Sequence, residues 1–342
     1  MMPVNLDRIA YLPQGLKLYD FIVAKNRISP YVQPTPIRYS KFLSHLSGAE
    51  VWLKLESLQP TGSFKVRGAV HKLMRLIEAG QPTGVVTASA GNHALGVAYA
   101  AEVLDLTGVT VFIPQTAPKA KVEKLQLYPI SLCQTGQTYE AAHQAAEAFA
   151  AQTGAQYISA YDDVDIVLGQ GTCGLEILLD LPKTDIILTP TGGGGLLSGV
   201  ALVAKAINPL VKIIGVQPEA SPAAKLSLEQ KRPIDPYDHK PTLADGLAGG
   251  FGAIPFALAA ALVEQILLYT EADLRRAIFT LAHQEQLVVE ASGAIAIAPL
   301  LQEPGLFRGE RVVCILTGAN IDSVLLREIL AHPLSETSSD NF

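Results

Sequence analysis

The stretch GVVTASAGNHALGVAYAAEVLD, Gly84 to Asp105, contains a complete passage from strand to helix. Val85, Val86 and Thr87 form a β-branched run, Ser89 to His93 supply small and polar residues, and the Ala- and Leu-rich remainder is free of proline, so a strand ending near Thr87 is expected to feed a helix. The same alternation recurs on either side. VTVFIP precedes APKAKVEKLQLY, and TYEAAHQAAEAFAAQTG precedes AQYIS. Further on, DIILTP, VKIIGVQP, QILLYT and RVVCILTG are separated by GLLSGVALVAKAI, EADLRRAIFTLAHQEQL and ASGAIAIAPLL. These strand runs are apolar on both faces, as parallel strands covered by helices on both sides must be. The fold class is therefore α/β, built from open parallel sheets with helices on both faces.

Composition narrows the function classes. With 342 residues, 49% of them hydrophobic and 17% charged, the chain is long enough for about two globular domains. A net charge of −6 without a basic run argues against nucleic acid or an anionic membrane as partner. Cys133, Cys173 and Cys314 are widely spaced and have no CxxC or His-paired spacing. Neither a disulfide framework nor a zinc site is indicated, and a reducing cytoplasm is the expected location. No membrane span or apolar leader is expected from the sequence. EQKRPIDPYDHKPTLADGLAGGFG reads as a long functional loop.

Four predicted strand-to-helix junctions carry small or polar residues where a parallel sheet opens its ligand crevice. SFKVRGA places Lys65 at a helix start, where the dipole disfavours a cation. TASAGNHALG offers free backbone N–H groups suited to a carboxylate or phosphate, although Ser89 or Asn92 could equally serve as an ordinary N-cap. TPTGGGGLLSG sets Gly192, Gly193, Gly194 and Gly195 between a strand and a helix, which is a phosphate cradle in physical terms. The G-x-G-x-x-G spacing fails at Leu197 and Ser198, and no Lys-Ser/Thr follows Gly199, so nicotinamide dehydrogenases and P-loop nucleotidases are disfavoured. CILTGAN adds a hydroxyl, Thr317, at the end of a central strand. A lysine amine, an oxyanion cradle, a separate carboxylate cradle and a hydroxyl are together the parts needed for pyridoxal phosphate acting on an amino acid. Burial and the helix start both lower the pKa of Lys65, and a Schiff-base lysine needs its neutral form.

These motifs, in order from PTPIRYS through LKLESLQPTGSFKVRGA, SAGNHALG, IPQTAPKAK, GQGTCGLEI, PTGGGGLLSG, LADGLA and VEASGA to LTGANID, resemble the serine/threonine dehydratase and serine racemase family. Those enzymes depend on pyridoxal phosphate and have the tryptophan-synthase-β-like fold, fold type II. The resemblance implies a large cofactor-binding domain of residues 1–79 and 157–330, a small domain of 80–156 and a polar C-terminal tail, 331–342. It makes Lys65 the Schiff-base lysine, Phe64 a neighbour of the cofactor ring, and Asn92 the partner of the 3-hydroxyl. Gly192, Gly193, Gly194, Gly195 and Leu196 would hold the phosphate and Thr317 would face the pyridine nitrogen. Ser89, Ala90, Gly91, Asn92 and His93 would hold the substrate carboxylate.

The implied reaction is dehydration of a β-hydroxy amino acid, L-threonine or L-serine, to a 2-oxo acid and ammonia by a homodimer or homotetramer. Threonine synthase and other β-replacement enzymes of the fold are alternatives, but they usually carry SFKDRG and an asparagine in the phosphate loop, unlike Val66 and the uninterrupted glycines here. Serine racemase and 3-hydroxyaspartate dehydratase are further alternatives. Racemases of the family place a serine at the position of Ala90. Metal-binding members supply two carboxylates and a carbonyl where Gln217, Ser221 and Ala223 stand, so no metal is expected. Pro129 replaces a usual glycine, with no functional account. The residues beyond about 330 are too few for an effector domain, so feedback control is not expected.

Overall fold

The computed structural model describes residues 15–80 and 83–332. The predicted tail falls outside these residues from position 333 on, as does the start of the chain through position 14. The strands are β1 (Ile37–Tyr39), β2 (Glu50–Lys54), β3 (Val85–Ala88), β4 (Val109–Ile113), β5 (Ser131–Gln134), β6 (Gln156–Tyr157), β7 (Ile186–Pro190), β8 (Lys212–Pro218), β9 (Gln265–Tyr269) and β10 (Arg311–Ile315). They form two sheets, six-stranded in the order β1-β2-β10-β7-β8-β9 and four-stranded in the order β5-β4-β3-β6. All pairings are parallel except that of β1 with β2. That antiparallel pair lies at an edge and departs from the all-parallel expectation.

Both faces of the large sheet are apolar for the reason anticipated. Ile186, Leu188, Val312 and Cys314 enter one core, while Ile187, Ile213, Val313 and Ile315 enter the other, following the two-residue period of a strand. In the small sheet, Val85, Val109 and Val111 face the Asn92–Val103 helix side, whereas Val86, Ala88 and Phe112 pack with Ala142 and Ala146 of the Tyr139–Thr153 helix. Each fully buried aliphatic side chain contributes roughly 1.5–3 kcal/mol.

Glycines let three helices approach closely beneath the large sheet. A Cβ on Gly199 would lie 2.4 Å from the Val167 carbonyl oxygen, and one on Gly169 would lie 2.6 Å from the Gly68 Cα. The Val164–Asp180 helix thus touches both the Gly195–Ile207 helix and the Lys65–Glu78 helix along its backbone. These contacts fix the starts of the two helices that carry Lys65 and the glycine run.

Candidate active site

Lys65 is the first residue of its helix, and the chain ahead of it is tied to the loop after β10. Phe64 N–H donates to the Thr317 carbonyl at 3.0 Å, and Ser63 forms a β-bridge with Gly318. The Lys65 amine donates to the Ala160 carbonyl at 2.9 Å and lies 5.2 Å from the Phe64 ring centroid. Its hydrogen-bond acceptor is neutral, and burial lowers its pKa to about 8.

Two residues on, Arg67 is only 1% exposed and takes no part in the cavity wall. It grips both oxygens of Glu56, at 2.7 and 2.8 Å, and both of Glu176, at 2.7 Å each. Lys54 donates to Glu176 at 2.6 Å, which balances the two carboxylates with two cations. This buried lattice fastens the helix start to β2 and to the Val164–Asp180 helix. Removing one partner from such a lattice costs about 3–5 kcal/mol because the remaining charge stays buried.

Lys65 opens on a cavity of about 1040 Å³ between the two sheets. All four glycines of the run line it, with Gly194 in the left-handed region at φ +96° and the helix beginning at Gly195. A Cβ on Gly193 would lie 2.2 Å from the Tyr161 ring, one on Gly194 2.3 Å from Phe251, and one on Gly192 2.9 Å from Leu247. The loop is backed by protein on that side, so its bare main chain forms the cavity wall. The first-turn N–H groups of the helix have no carbonyl partner a turn earlier, which makes the wall an anion cradle.

Ser89, Ala90, Gly91, Asn92 and His93 line another part of the same cavity. Ser89 Oγ accepts from Gly91 N–H at 3.1 Å. The His93 ring turns into the protein, with Nε2 3.2 Å from the Ile158 carbonyl, and burial together with the nearby Lys65 charge lowers its pKa to about 3. A neutral, inward-turned imidazole offers no cation to a carboxylate, so what this residue presents toward the cavity is its main chain. Asn92 donates from Nδ2 to Glu290 at 2.6 Å and accepts on Oδ1 from Asn320 at 2.8 Å.

Thr317 is 3% exposed, and its hydroxyl has one long contact, 3.4 Å to the Ser292 carbonyl. Phe64 and Leu196 also line the cavity, so the residues assigned from the sequence to cofactor and substrate all meet at one place. The long loop supplies another wall: Gly246 N–H donates to Ser292 Oγ at 3.0 Å, and Tyr161 donates to Asp235 at 2.9 Å. At the metal position of the resemblance, Gln217 Oε1 accepts from Lys225 N–H at 3.3 Å and Ser221 Oγ accepts from Gly249 N–H at 3.1 Å. Among the described residues no cluster of three metal-ligating side chains occurs.

Glu290, Ser292, Asp245 and Lys121 also line the cavity without having been assigned a role from sequence. Their motifs VEASGA, LADGLA and APKAK were recognisable, but no local pattern told which side chain faced inward. The donor set suits pyridoxal phosphate: a weakly basic amine, an anion cradle, a neutral hydroxyl and an amide share one wall system.

The comparisons with known proteins agree with that chemistry. A family model described as pyridoxal-phosphate dependent enzyme matches residues 28–318. The chain is 38% identical over 328 residues to an L-threonine ammonia-lyase of Thermotoga maritima, covering 96% of this chain and 81% of that one. The processed form of threonine deaminase isoform 2 from Solanum lycopersicum superposes with a TM-score of 0.86 at 31% identity, covering 94% of this chain and 95% of that one. Maize serine racemase superposes with a TM-score of 0.84 at 30% identity, covering 92% and 97%. An amine, a glycine cradle and the Ser89–His93 loop share one cavity, and with a family model matching residues 28–318 the chain belongs to the family of pyridoxal-phosphate dependent enzymes.

Proposed function

We propose that this chain is an ammonia-lyase that dehydrates L-threonine, L-serine or both to a 2-oxo acid and ammonia. The observation that carries the reading is the Lys65 amine, held at Ala160 with its pKa lowered to about 8, on a cavity shared by the glycine cradle and the Ser89–His93 loop. The names of the Thermotoga and tomato relatives support the same reaction.

Bound pyridoxal phosphate supplies an electron sink that makes the α-proton of an attached amino acid removable. The Gly192–Leu196 main chain would hold the phosphate through the N–H groups of the helix start, with Phe64 beside the ring. The Ser89–His93 main chain would orient the substrate carboxylate. Lys65 takes the α-proton, which its lowered pKa permits near neutral pH. Thr317 would offer a neutral hydroxyl, not a carboxylate, to the ring nitrogen, an environment that would disfavour its protonation and so favour elimination over transamination.

We assign residues 80–156 to a small domain and 1–79 with 157–330 to a large one; the separate four-stranded sheet supports the division, although its strand β6, paired with β3, runs one residue past the second bound to Tyr157. We also propose a cytoplasmic homodimer or homotetramer. Among the described residues no helix is long and apolar enough to cross a membrane, and the three cysteines are free. Light scattering on the purified protein tests the assembly.

Ammonia and 2-oxo acid release are to be measured on L-threonine, L-serine, 3-hydroxyaspartate and diaminopropionate, with Lys65→Ala alongside. We expect turnover on threonine or serine, and in Lys65→Ala no turnover and no borohydride-fixed cofactor, with the circular dichroism of the parent. Appreciable ammonia release by Lys65→Ala would sink the assignment.

A further inference from the structure

Glu290 is 6% exposed, and its backbone N–H donates to the Gly318 carbonyl at 3.0 Å. Its carboxylate reaches Asn92 Nδ2 at 2.6 Å. Gly318 makes room for it, since a Cβ there would lie 2.1 Å from Glu290 Oε1. On the other side of Asn92, Asn320 Nδ2 donates to Oδ1 at 2.8 Å and also to the Thr61 carbonyl at 2.9 Å. An ionised carboxylate only accepts, so it selects the NH₂ end of Asn92, and the Asn320 donor selects the oxygen end. The two neighbours leave the Asn92 amide one orientation, with one N–H still free.

We propose that Glu290 is a positioning residue that, together with Asn320, locks Asn92 so that it offers an N–H donor rather than a carbonyl to the 3-oxygen of the bound cofactor. The inference rests on the assignment of Asn92 to that oxygen. A donor there holds the oxygen in its anionic, accepting form, and Glu290 acts on it only through the amide.

The charge of Glu290 is itself poised. Burial and, after it, Asp245 from the turn at 245–247 raise its pKa to about 7, against the lowering effects of the Asn92 bond, Lys121 of the Lys119–Leu125 helix and the Asn320 backbone N–H. Lys121 pairs with Asp245, and Lys124 reaches Asn320 Oδ1 at 3.2 Å. Protonation weakens the hold on Asn92, because a charge-assisted hydrogen bond becomes a neutral one.

The test follows the visible absorbance of the bound cofactor in the holoenzyme from about pH 5.5 to 8.5, the range around a carboxyl titrating near neutrality, together with kcat and KM. The parent should show a spectral step near neutrality. Glu290→Gln keeps an acceptor oxygen of the same shape but cannot titrate. It should lose the step and lower kcat about tenfold, as loss of one charge-assisted bond implies, with KM nearly unchanged. A Glu290→Gln enzyme with the parental step and kcat overturns the proposal. Asn92→Ala separates the two layers. If it leaves the spectrum unchanged while Lys65→Ala abolishes it, the Asn92 assignment fails and the proposal with it. If Asn92→Ala shifts the spectrum and Glu290→Gln does not, the inference alone fails. Should Glu290→Gln not fold, Asn320→Asp sets an acceptor against Asn92 Oδ1 and should shift the spectrum; an unshifted spectrum overturns the proposal equally.

Discussion

Ala90 lines the cavity with a methyl group, at the position where the family resemblance puts the serine that racemases use as a second proton carrier. Its neighbours are otherwise committed: Ser89 Oγ accepts from Gly91 N–H, and the neutral His93 ring is turned to Ile158. We therefore predict little D-serine from L-serine, and measurable D-serine once Ala90→Ser supplies a hydroxyl. Chiral chromatography decides it, and substantial D-serine from the parent would contradict the reading. Two buried histidines also set the acid limb of stability. The pKa of His93 is lowered to about 3, and that of His71, bonded to Arg27 and to the Asp165 carbonyl, to about 4, burial being the main cause in both. Folded pKa values below the unfolded value mean that the unfolded chain binds protons the native one does not. Stability is then lost as pH falls from about 6.5 toward these values, by up to about 1.4 kcal/mol per pH unit and histidine. Glu56, whose carboxyl is held at about 2 by Arg67 against the opposing effect of burial, acts in the same sense below about pH 4.5. Glu290 acts oppositely, its contribution declining as pH rises through about 7. Urea midpoints measured at two pH values across this range should fall less on acidification in His93→Gln, which keeps a donor toward Ile158 but has no proton to gain.

At the scale of elements, the glycine run joins local freedom to tertiary crowding. Only Gly194 needs the left-handed region; the others are bare because Tyr161, Leu247 and the strand-to-helix turn leave no room. A methyl on Gly193 would meet the Tyr161 ring at 2.2 Å, so Gly193→Ala must move either the ring or the cradle. We expect cofactor affinity to fall by about tenfold or more, as loss of about 1.4 kcal/mol would produce, with little change in helix content. Equilibrium dialysis and circular dichroism check both halves of the statement. A variant with parental affinity would mean that Tyr161 yields and the loop does not depend on the contact.

For the whole molecule, the cavity draws its lining from elements around both sheets. Lys121, on a helix beside the small sheet, pairs with Asp245 of the loop over the large sheet, both partly exposed. Exposed pairs contribute about 0–1 kcal/mol, so Asp245→Asn should leave thermal stability nearly unchanged. It should nevertheless move the titration of Glu290 to lower pH, since the Asp245 charge raises that pKa. A pH profile of kcat measures the shift, and an unmoved profile would show that the two carboxylates do not communicate.

The amino-acid pattern alone determined the largely parallel α/β architecture and the pyridoxal phosphate chemistry, and it singled out Lys65 and the glycine run as the residues to carry it. Those features are local: β-branched runs, amphipathic helices and glycine clusters act over a turn or a strand, a range that a linear reading covers. Tertiary structure alone decided the antiparallel edge strand β1, the inward turn of His93, the lattice around Arg67 and the clamp on Asn92. Arg67 meets Glu176 across 109 positions of sequence, and Asn92 meets Glu290 across 198 and Asn320 across 228. Whether such polar groups face solvent or one another depends on which helices and loops the folded chain stacks together, and no periodicity within either partner's own segment encodes that choice.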